Sequence, residues 1–277
     1  MDEAISRDES VTLLAQRLVE WFEPQAHYAI ALSGGVDSAV VAQAASRSAS
    51  QVVVVTGRSS SVAARELNDA KQVGQQLDLP HRIIDTQELN NPAYLRNDER
   101  RCYFCKQQLF AAMQAEFPQS IIVTGTNADD LGDYRPGLIA AKEARVRAPL
   151  AELGIDKSQV RSLAALWEMH LADKPASPCL ASRIAHGVAV TAERLQRVEQ
   201  AEELLRELGL VEFRVRLHDG ELARIEVGPA DLMQLVVPET RGLINRRFRE
   251  MGFRFITLDL EGFRSGSLNP VFQIGKR

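Results

Sequence analysis

The sequence predicts an α/β fold, a parallel sheet sandwiched by helices, followed by a smaller C-terminal α+β domain. Three observations carry that expectation. As far as Ile155, short apolar runs alternate with helical stretches; the first of these runs ends in a glycine turn that opens a helix; and beyond Ile155 the rhythm changes to helix, loop and paired strand-like runs. Strands separated by helices of this length imply right-handed crossovers, hence parallel pairing with both sheet faces covered.

Taken in chain order, residues 9–22 place Val11, Leu14, Leu18, Trp21 and Phe22 at helical spacing before Pro24 ends the pattern. Residues 28–32 read as a buried strand, Ser33-Gly34-Gly35 as a turn, and the alanine-rich stretch to Ala45 as a helix. A strand at 51–56 precedes a helix at 63–77, a strand at 82–85 leads to the helix carrying Cys102, and a strand at 120–124 ends at Gly125. A helix at 156–169 then gives way to an irregular loop rich in proline and small residues, 174–183. Thr191 caps a helix with one apolar stripe, Leu195, Val198, Ala201, Leu205 and Leu208, closed by Gly209. Strands at 212–217 and 222–227 around a His218-Asp219-Gly220 turn, helices at 230–236 and 239–251 and a strand at 254–259 complete the small unit. The expected division is an α/β domain at 1–172, a cysteine-bearing loop and linker at 173–188, and the α+β domain at 189–277.

At 277 residues and 45% hydrophobic content the chain can bury one large core or two modest ones. Its apolar runs are strand-length, far short of the ~20 residues that cross a bilayer, so no membrane role is expected. The acidic start lacks the basic and apolar regions of a signal peptide, which places the expected location in the cytoplasm. A net charge of −4 argues against a nucleic acid partner. It leaves room for a local basic pocket, and Arg183, Arg214, Arg216 and Arg224 are close in sequence. Three cysteines make a disulfide framework an unlikely use of the sulfur. Five histidines are scattered without ligand spacing, and Phe110 and Trp167 fall on apolar helical faces as packing residues.

The strand at 28–32 runs directly into Ser33-Gly34-Gly35-Val36-Asp37-Ser38, within which a helix begins. Glycines let the backbone approach a phosphate, first-turn amides point at it, and the helix dipole favours its charge. Ser33 and Ser38 add hydroxyl donors, and Asp37 could hold the magnesium that accompanies ATP. The motif has neither GxxxxGK[ST] nor GxGxxG. It resembles instead the SGGxDS loop of the PP-loop enzymes, which cleave ATP between the α- and β-phosphates. A second strand exit, Val123-Thr-Gly-Thr-Asn-Ala-Asp-Asp130, supplies Gly125 for close approach of the nucleotide and Asp129 or Asp130 to share the metal. An ordinary strand exit with solvated aspartates is the bland alternative for this run.

Cys179 lies in Pro178-Cys-Leu-Ala-Ser-Arg183, flanked by the cations Lys174 and Arg183; Cys102 and Cys105 form a CxxC pair. A free cysteine is more often a small buried hydrophobe. Taken with 33–38, Arg101-Cys-Tyr-Phe-Cys-Lys106, Gly125-Thr-Asn127, Asp133-Tyr-Arg-Pro-Gly137, Ala223-Arg-Ile-Glu-Val227 and Gly262-Phe-Arg-Ser-Gly-Ser267, the chain resembles, almost end to end, the LarE family, ATP-dependent sulfur transferases of nickel-pincer cofactor biosynthesis. SGGVDS marks the superfamily, whereas the PCLASR and RCYFCK segments carry the family.

The resemblance implies adenylation of a carboxylate of pyridinium-3,5-biscarboxylic acid mononucleotide and its conversion to a thiocarboxylate. It implies Cys179, Asp37 and Arg183 as catalytic, 33–38 and Gly125 as ATP-binding, and Asn127, Arg183, Arg214 and Arg216 as substrate-binding. It also implies either a [4Fe-4S] cluster on Cys102, Cys105 and Cys179 or sacrificial donation of sulfur by Cys179, and a homo-oligomer, a hexamer in the family pattern. Iron–sulfur clusters normally take four thiolates, so a three-thiolate site leaves one position open. Rival expectations are a tRNA thiolase, another PP-loop amide-forming enzyme such as an NAD synthetase, and a non-catalytic ATP-binding module.

Overall fold

The computed structural model describes residues 7–49, 51–132, 135–171 and 178–264. Asp133, Tyr134, Lys174 and residues 265–267, part of the motifs above, lie outside the described residues. The chain divides into two compact units, one formed by the described residues of 7–91 and 100–171, the other by 92–99 and 178–264.

The first unit opens with helix α1 (Arg7–Glu20), strand β1 (His27–Ala31), helix α2 (Val36–Ser46), strand β2 (Gln51–Arg58), helix α3 (Ala64–Gln76) and strand β3 (His81–Asp85). The helical turn α4 (Pro92–Leu95) follows in the chain and belongs to the second unit. The first unit resumes with α5 (Arg101–Glu116), β4 (Ile121–Val123), α6 (Pro136–Glu143), α7 (Pro149–Glu152) and α8 (Lys157–Leu166). Its four strands pair in parallel in the order β3-β2-β1-β4, as the alternation of strands and helices requires.

The pleat of β1 decides what each face buries. Tyr28, Ile30 and Leu32 join a core with α1, α2, α3 and α8, while Ala29 turns to the opposite face with Phe110 and Met113 of α5 and Ala140 of α6. Helix α2 is buried nearly all round, with Ala39, Val40, Val41, Ala42, Ala44 and Ala45 out of solvent. That explains its lack of a polar face, and each valine so buried contributes about 1.5–3 kcal/mol. Phe110 is core, as its helical position implies; Trp167 packs against the core more loosely at the end of α8.

The second unit contains α9 (Ala192–Glu207), β5 (Phe213–His218), β6 (Leu222–Val227), α10 (Leu232–Val236), α11 (Pro238–Glu250) and β7 (Phe255–Leu258). Thr191 caps α9, its hydroxyl accepting from the Arg194 amide at 3.2 Å. The sheet order is β5-β6-β7, with β5 and β6 antiparallel and β7 parallel to β6. Phe213, Val215 and Leu217 share a buried face with Ala223, Ile225 and Val227. Arg214, Arg216, Arg224 and Glu226 therefore share the other face.

The Asn97 side chain and two backbone bonds help tie residues 92–99 into this unit. Asn97 is fully buried with φ of 56°, and its Nδ2 donates to the carbonyls of Ala185 at 2.8 Å, Val188 at 2.9 Å and Ile184 at 3.2 Å. The Gly187 amide returns a bond to the Asn97 carbonyl, and the Val190 amide donates to Leu95. Asparagine suits this position because it tolerates the left-handed region and carries the amide donor. Asn97→Ala is expected to lower the unfolding free energy by about 2–4 kcal/mol, since it strands buried carbonyls and strains the backbone. Urea unfolding checks this, and Asn97→Gly, which relieves only the strain, is expected to fall between wild type and Asn97→Ala.

Candidate active site

The carboxyl end of β1 builds the cradle. Gly34 has φ of 75°, and a Cβ there would lie 3.0 Å from the Ala70 amide nitrogen of α3, so the turn accepts glycine alone without strain. Ser33 and Ser38 brace the turn: the Ser33 amide donates to Ser38 Oγ at 3.2 Å, and Ser38 Oγ donates to the Gly35 carbonyl at 3.0 Å. Gly35 is the N-cap of α2 and offers no side-chain cap. The first-turn amides of α2, beginning at the buried Val36, are thereby presented to an anion.

The exit of β4 closes against this turn. A Cβ on Gly125 would lie 2.5 Å from the Ser38 amide nitrogen and 2.8 Å from the Asp37 carbonyl carbon, so the two backbones are in direct contact. Asn127, almost fully buried, donates from Nδ2 to Asp37 Oδ1 at 3.0 Å. The other Asp37 oxygen pairs with the Lys157 ammonium. The Lys157 amide in turn donates to Asp129 Oδ2 at 3.0 Å, while Asp130 accepts from the Asn127 amide at 3.1 Å and pairs with Arg135. Thus Ser33, Gly34, Gly35, Val36, Asp37, Ser38, Gly125, Asn127 and Asp129 surround one mouth, with Asn127 touching Asp37. A cavity of about 630 Å³ at the opposite end of the strands, lined by His27, Gln51, Asp78 and Ser120 among others, contains none of them.

Beneath the cradle, Thr56 Oγ1 donates to the Leu32 carbonyl at 2.7 Å and meets His81 Nε2 at 2.8 Å. The hydroxyl has one proton, already given to Leu32, so His81 donates through Nε2. Burial, assisted by the nearby Lys71 charge, lowers the His81 pKa.

None of the three cysteines is in a disulfide. Cys102 and Cys179 are exposed and Cys105 partly so; the pair sits in the first turns of α5 and Cys179 immediately precedes a short 3-10 turn, Leu180–Arg183. Among the described residues no group of three His, Cys, Asp or Glu side chains is arranged to hold a metal ion.

In the second unit Arg183 is 3% exposed and spends its donors internally. Its Nε and Nη2 bind the two oxygens of Glu202 at 2.9 and 3.2 Å, and Nη1 donates to the carbonyls of Pro178 at 2.5 Å and Cys179 at 3.2 Å. Ser182 Oγ also donates to the Cys179 carbonyl at 2.7 Å. Glu226, fully buried, lies between Arg216 at 3.0 Å and Arg224 at 2.8 Å, and Asp259 stands 3.6 Å from Arg224. Arg214 lies over the Phe263 ring at 5.0 Å and donates to the Phe213 carbonyl at 2.7 Å; it pairs with no carboxylate among the described residues. Burial, with Arg183 adding repulsion, lowers its pKa to about 10, so it remains charged at neutral pH.

Sequence reasoning missed Lys157 and Glu202. Lys157 carried a faint signal, a cation in the first turn of a helix, where the dipole disfavours it. Glu202 interrupts the apolar stripe of α9 with a buried acid, a pattern that heptad spacing alone does not distinguish from a solvated one.

The parallel sheet, the uncapped glycine-opened helix and the strand exit packed on its first turn define an ATP-using enzyme of the PP-loop type. The family model "Queuosine biosynthesis protein QueC" matches residues 28–101. The chain is 32% identical over 247 residues to the pyridinium-3,5-bisthiocarboxylic acid mononucleotide synthase of Lactiplantibacillus plantarum, covering 87% of this chain and 88% of that one. It therefore belongs to that synthase's family, LarE. An uncharacterised protein of Synechocystis is 45% identical over 246 residues, 87% of this chain and 91% of its own. A tRNA-specific 2-thiouridylase of Azorhizobium caulinodans is 27% identical over 191 residues, 53% of this chain and 48% of its own. No helix among the described residues is long and apolar enough to cross a membrane.

Two outcomes are expected. Gly125→Ala forces the β4 exit off the first turn of α2 and abolishes measurable ATP binding by calorimetry, while circular dichroism keeps its helical signal. Stability, read as the urea midpoint, declines as pH falls through 6.5, because the unfolded imidazole takes up a proton that the buried His81 refuses. His81→Gln reduces that slope without removing it, since His218 is shifted in the same direction, mainly by burial.

Proposed function

We propose that the chain is an ATP-dependent sulfur transferase that adenylates a carboxylate of pyridinium-3,5-biscarboxylic acid mononucleotide, releases pyrophosphate and converts the carboxylate to a thiocarboxylate. The observation that carries this reading is the relation to the Lactiplantibacillus plantarum synthase along most of both chains. The cradle and the free Cys179 supply the chemistry that such a reaction needs.

A carboxylate resists nucleophiles because it is anionic and would have to expel oxide. Attack of its oxygen on the α-phosphorus of ATP breaks the α–β anhydride, and the resulting acyl adenylate expels AMP instead. The Ser33–Ser38 turn and α2 amides hold the phosphates, with Gly125 admitting the nucleotide close to the backbone. Asp37 and Asp129 offer the hard oxygen donors that suit magnesium, and Asn127 orients Asp37. Magnesium would supply charge neutralisation for the phosphates.

Arg183 acts through position. Its guanidinium is consumed by Glu202 and by the carbonyls of Pro178 and Cys179, so it fixes the turn that presents the sulfur. Arg214, half-buried and in no ion pair among the described residues, is the best placed of these arginines for the phosphate or carboxylate of the substrate, with Arg216 beside it. Cys102, Cys105 and Cys179 are three thiols outside any disulfide, a donor set that fits a [4Fe-4S] cluster with one open iron position. The cluster would carry the sulfide to be transferred. Without it, Cys179 attacks the adenylate itself, and loss of its α-proton with cleavage of its Cβ–S bond leaves dehydroalanine and the thiocarboxylate.

The protein acts in this reading as a homo-oligomer in the cytoplasm, on a small molecule. A tRNA substrate finds less support, since the thiouridylase relation spans about half of either chain and the net charge is −4.

Anaerobic purification followed by iron and sulfide analysis is expected to find both bound, and intact mass is expected to be unchanged after turnover. Loss of one hydrogen sulfide at Cys179 would replace the cluster by sacrificial donation. Cys179→Ser is expected to abolish thiocarboxylate formation while pyrophosphate release with ATP and the biscarboxylate persists. If wild type releases no pyrophosphate with that substrate, the reading fails.

A further inference from the structure

We propose that Phe263 is a positioning residue for the substrate: its ring holds the Arg214 guanidinium in place through the face of the cation, leaving the in-plane N–H donors of Arg214 to a phosphate or carboxylate of the mononucleotide. The proposal rests on the reading that Arg214 binds such an anion of that substrate.

The backbone after β7 is fixed so as to bring this ring to Arg214. The Asp259 amide donates to the Ile225 carbonyl at 2.8 Å and the Phe263 amide to the Val227 carbonyl at 2.9 Å, so residues 259–263 stay attached to β6 after β7 has ended. Between these two bonds the Gly262 amide donates to the Asp259 carbonyl at 3.2 Å, and Gly262 has φ of 74°. A Cβ on Gly262 would lie 2.8 Å from the Val227 carbonyl oxygen, the same atom that accepts from Phe263, so a side chain there would push the Phe263 amide away. The ring then lies under the Arg214 guanidinium at 5.0 Å.

A carboxylate would be the ordinary partner of an arginine on this face. In the β5–β6 register Arg214 stands directly opposite Glu226, yet the oxygens of Glu226 are held by Arg216 at 3.0 Å and Arg224 at 2.8 Å. Glu226 and Glu202 act on Arg214 only at a distance. The aromatic partner differs from a carboxylate in what it leaves over. A carboxylate neutralises the cation and takes its fork of donors, so an incoming anion has to displace it. An aromatic ring attracts the cation through its quadrupole and accepts no in-plane hydrogen bond. Among the described residues the Arg214 guanidinium donates one hydrogen bond, from Nη1 to the Phe213 carbonyl at 2.7 Å. Phe263 is itself only partly buried, so the stack is not sealed from a ligand. Holding a long side chain still before the anion arrives also reduces the entropy lost on binding.

The test measures pyrophosphate release with ATP and varied pyridinium-3,5-biscarboxylic acid mononucleotide in wild type, Phe263→Leu, Phe263→Tyr, Arg214→Met and the double variant Phe263→Leu/Arg214→Met. Phe263→Leu is expected to raise KM for the mononucleotide by about 5–30-fold, the size of a partly desolvated cation–π contact, with KM for ATP unchanged. Phe263→Tyr, which keeps the ring, is expected to stay within about twofold of wild type on the same ground. If Phe263 acts through Arg214, the two losses are not additive, and Phe263→Leu is expected to change kcat/KM little once Arg214 is Met. An unchanged mononucleotide KM in Phe263→Leu overturns the proposal, as does a full loss on adding Phe263→Leu to Arg214→Met, which assigns the ring to packing alone. Wild type that releases no pyrophosphate with this mononucleotide sinks the substrate reading, and the proposal with it. The unaltered protein gives an independent readout should Phe263→Leu fail to fold. Ring current is expected to shift the Arg214 Nε proton upfield of the other arginines in a nitrogen-15 spectrum, and the mononucleotide is expected to move that resonance while AMP does not. A resonance at the ordinary position, or one indifferent to the mononucleotide, overturns the proposal.

Discussion

Nothing larger than hydrogen fits between the Gly125 α-carbon and the first turn of α2, and the active mouth depends on that contact. It sets the separation of two strand exits whose residues Asp37 and Asn127 stand 90 positions apart in the sequence. Asn127 can then reach Asp37, and the 3-10 turn after it can place Asp129 against the amide of Lys157. A methyl group at Gly125 would disturb all three relationships at once. The mouth is thus a product of backbone proximity, with side chains added to a geometry already fixed.

This dependence explains which features were legible. The strand, turn and helix at 28–45 are encoded locally by apolar residues, glycines and alanines, and they form as the periodicity implies. The alternation of β5 and β6 announced a polar and an apolar face. It did not say how deeply that face is buried: Arg216 and Glu226 are out of solvent, paired with each other and bonded to Arg224 and the Ser182 carbonyl, while Arg224 stays partly exposed. Sequence separation hid the rest. Lys157 meets Asp37 across 120 positions, and Asn97 meets its three carbonyls across 87 to 91. No propensity within either segment specifies such partners, so the attachment of 92–99 to the second unit was not readable.

The arginines of the second unit divide by what each has already spent. Arg183 uses a bidentate pair and two carbonyls to hold the Cys179 turn, and breaking that pair would leave Glu202 buried with a charge to satisfy. Arg216 and Arg224 share Glu226 and cannot both leave it without exposing an uncompensated carboxylate in the interior. Arg214 is different. It has an aromatic face and a carbonyl, burial has lowered its pKa, and Glu202 and Glu226 offset its charge only at a distance, without an ion pair among the described residues.

A half-buried cation whose carboxylates, Glu202 and Glu226, act only at a distance costs free energy that folding alone gives no reason to spend. The same logic applies in opposite form at the nucleotide mouth, where Lys157 does have a carboxylate but in a solvent-touched pair that water can replace. One unit stores a positive charge outside any ion pair among its described residues, and the other stores a positive charge in a solvent-touched pair. Both arrangements make sense for anionic ligands that arrive and depart, because affinity is gained from charge already in place and release does not require dismantling a tightly buried ion pair.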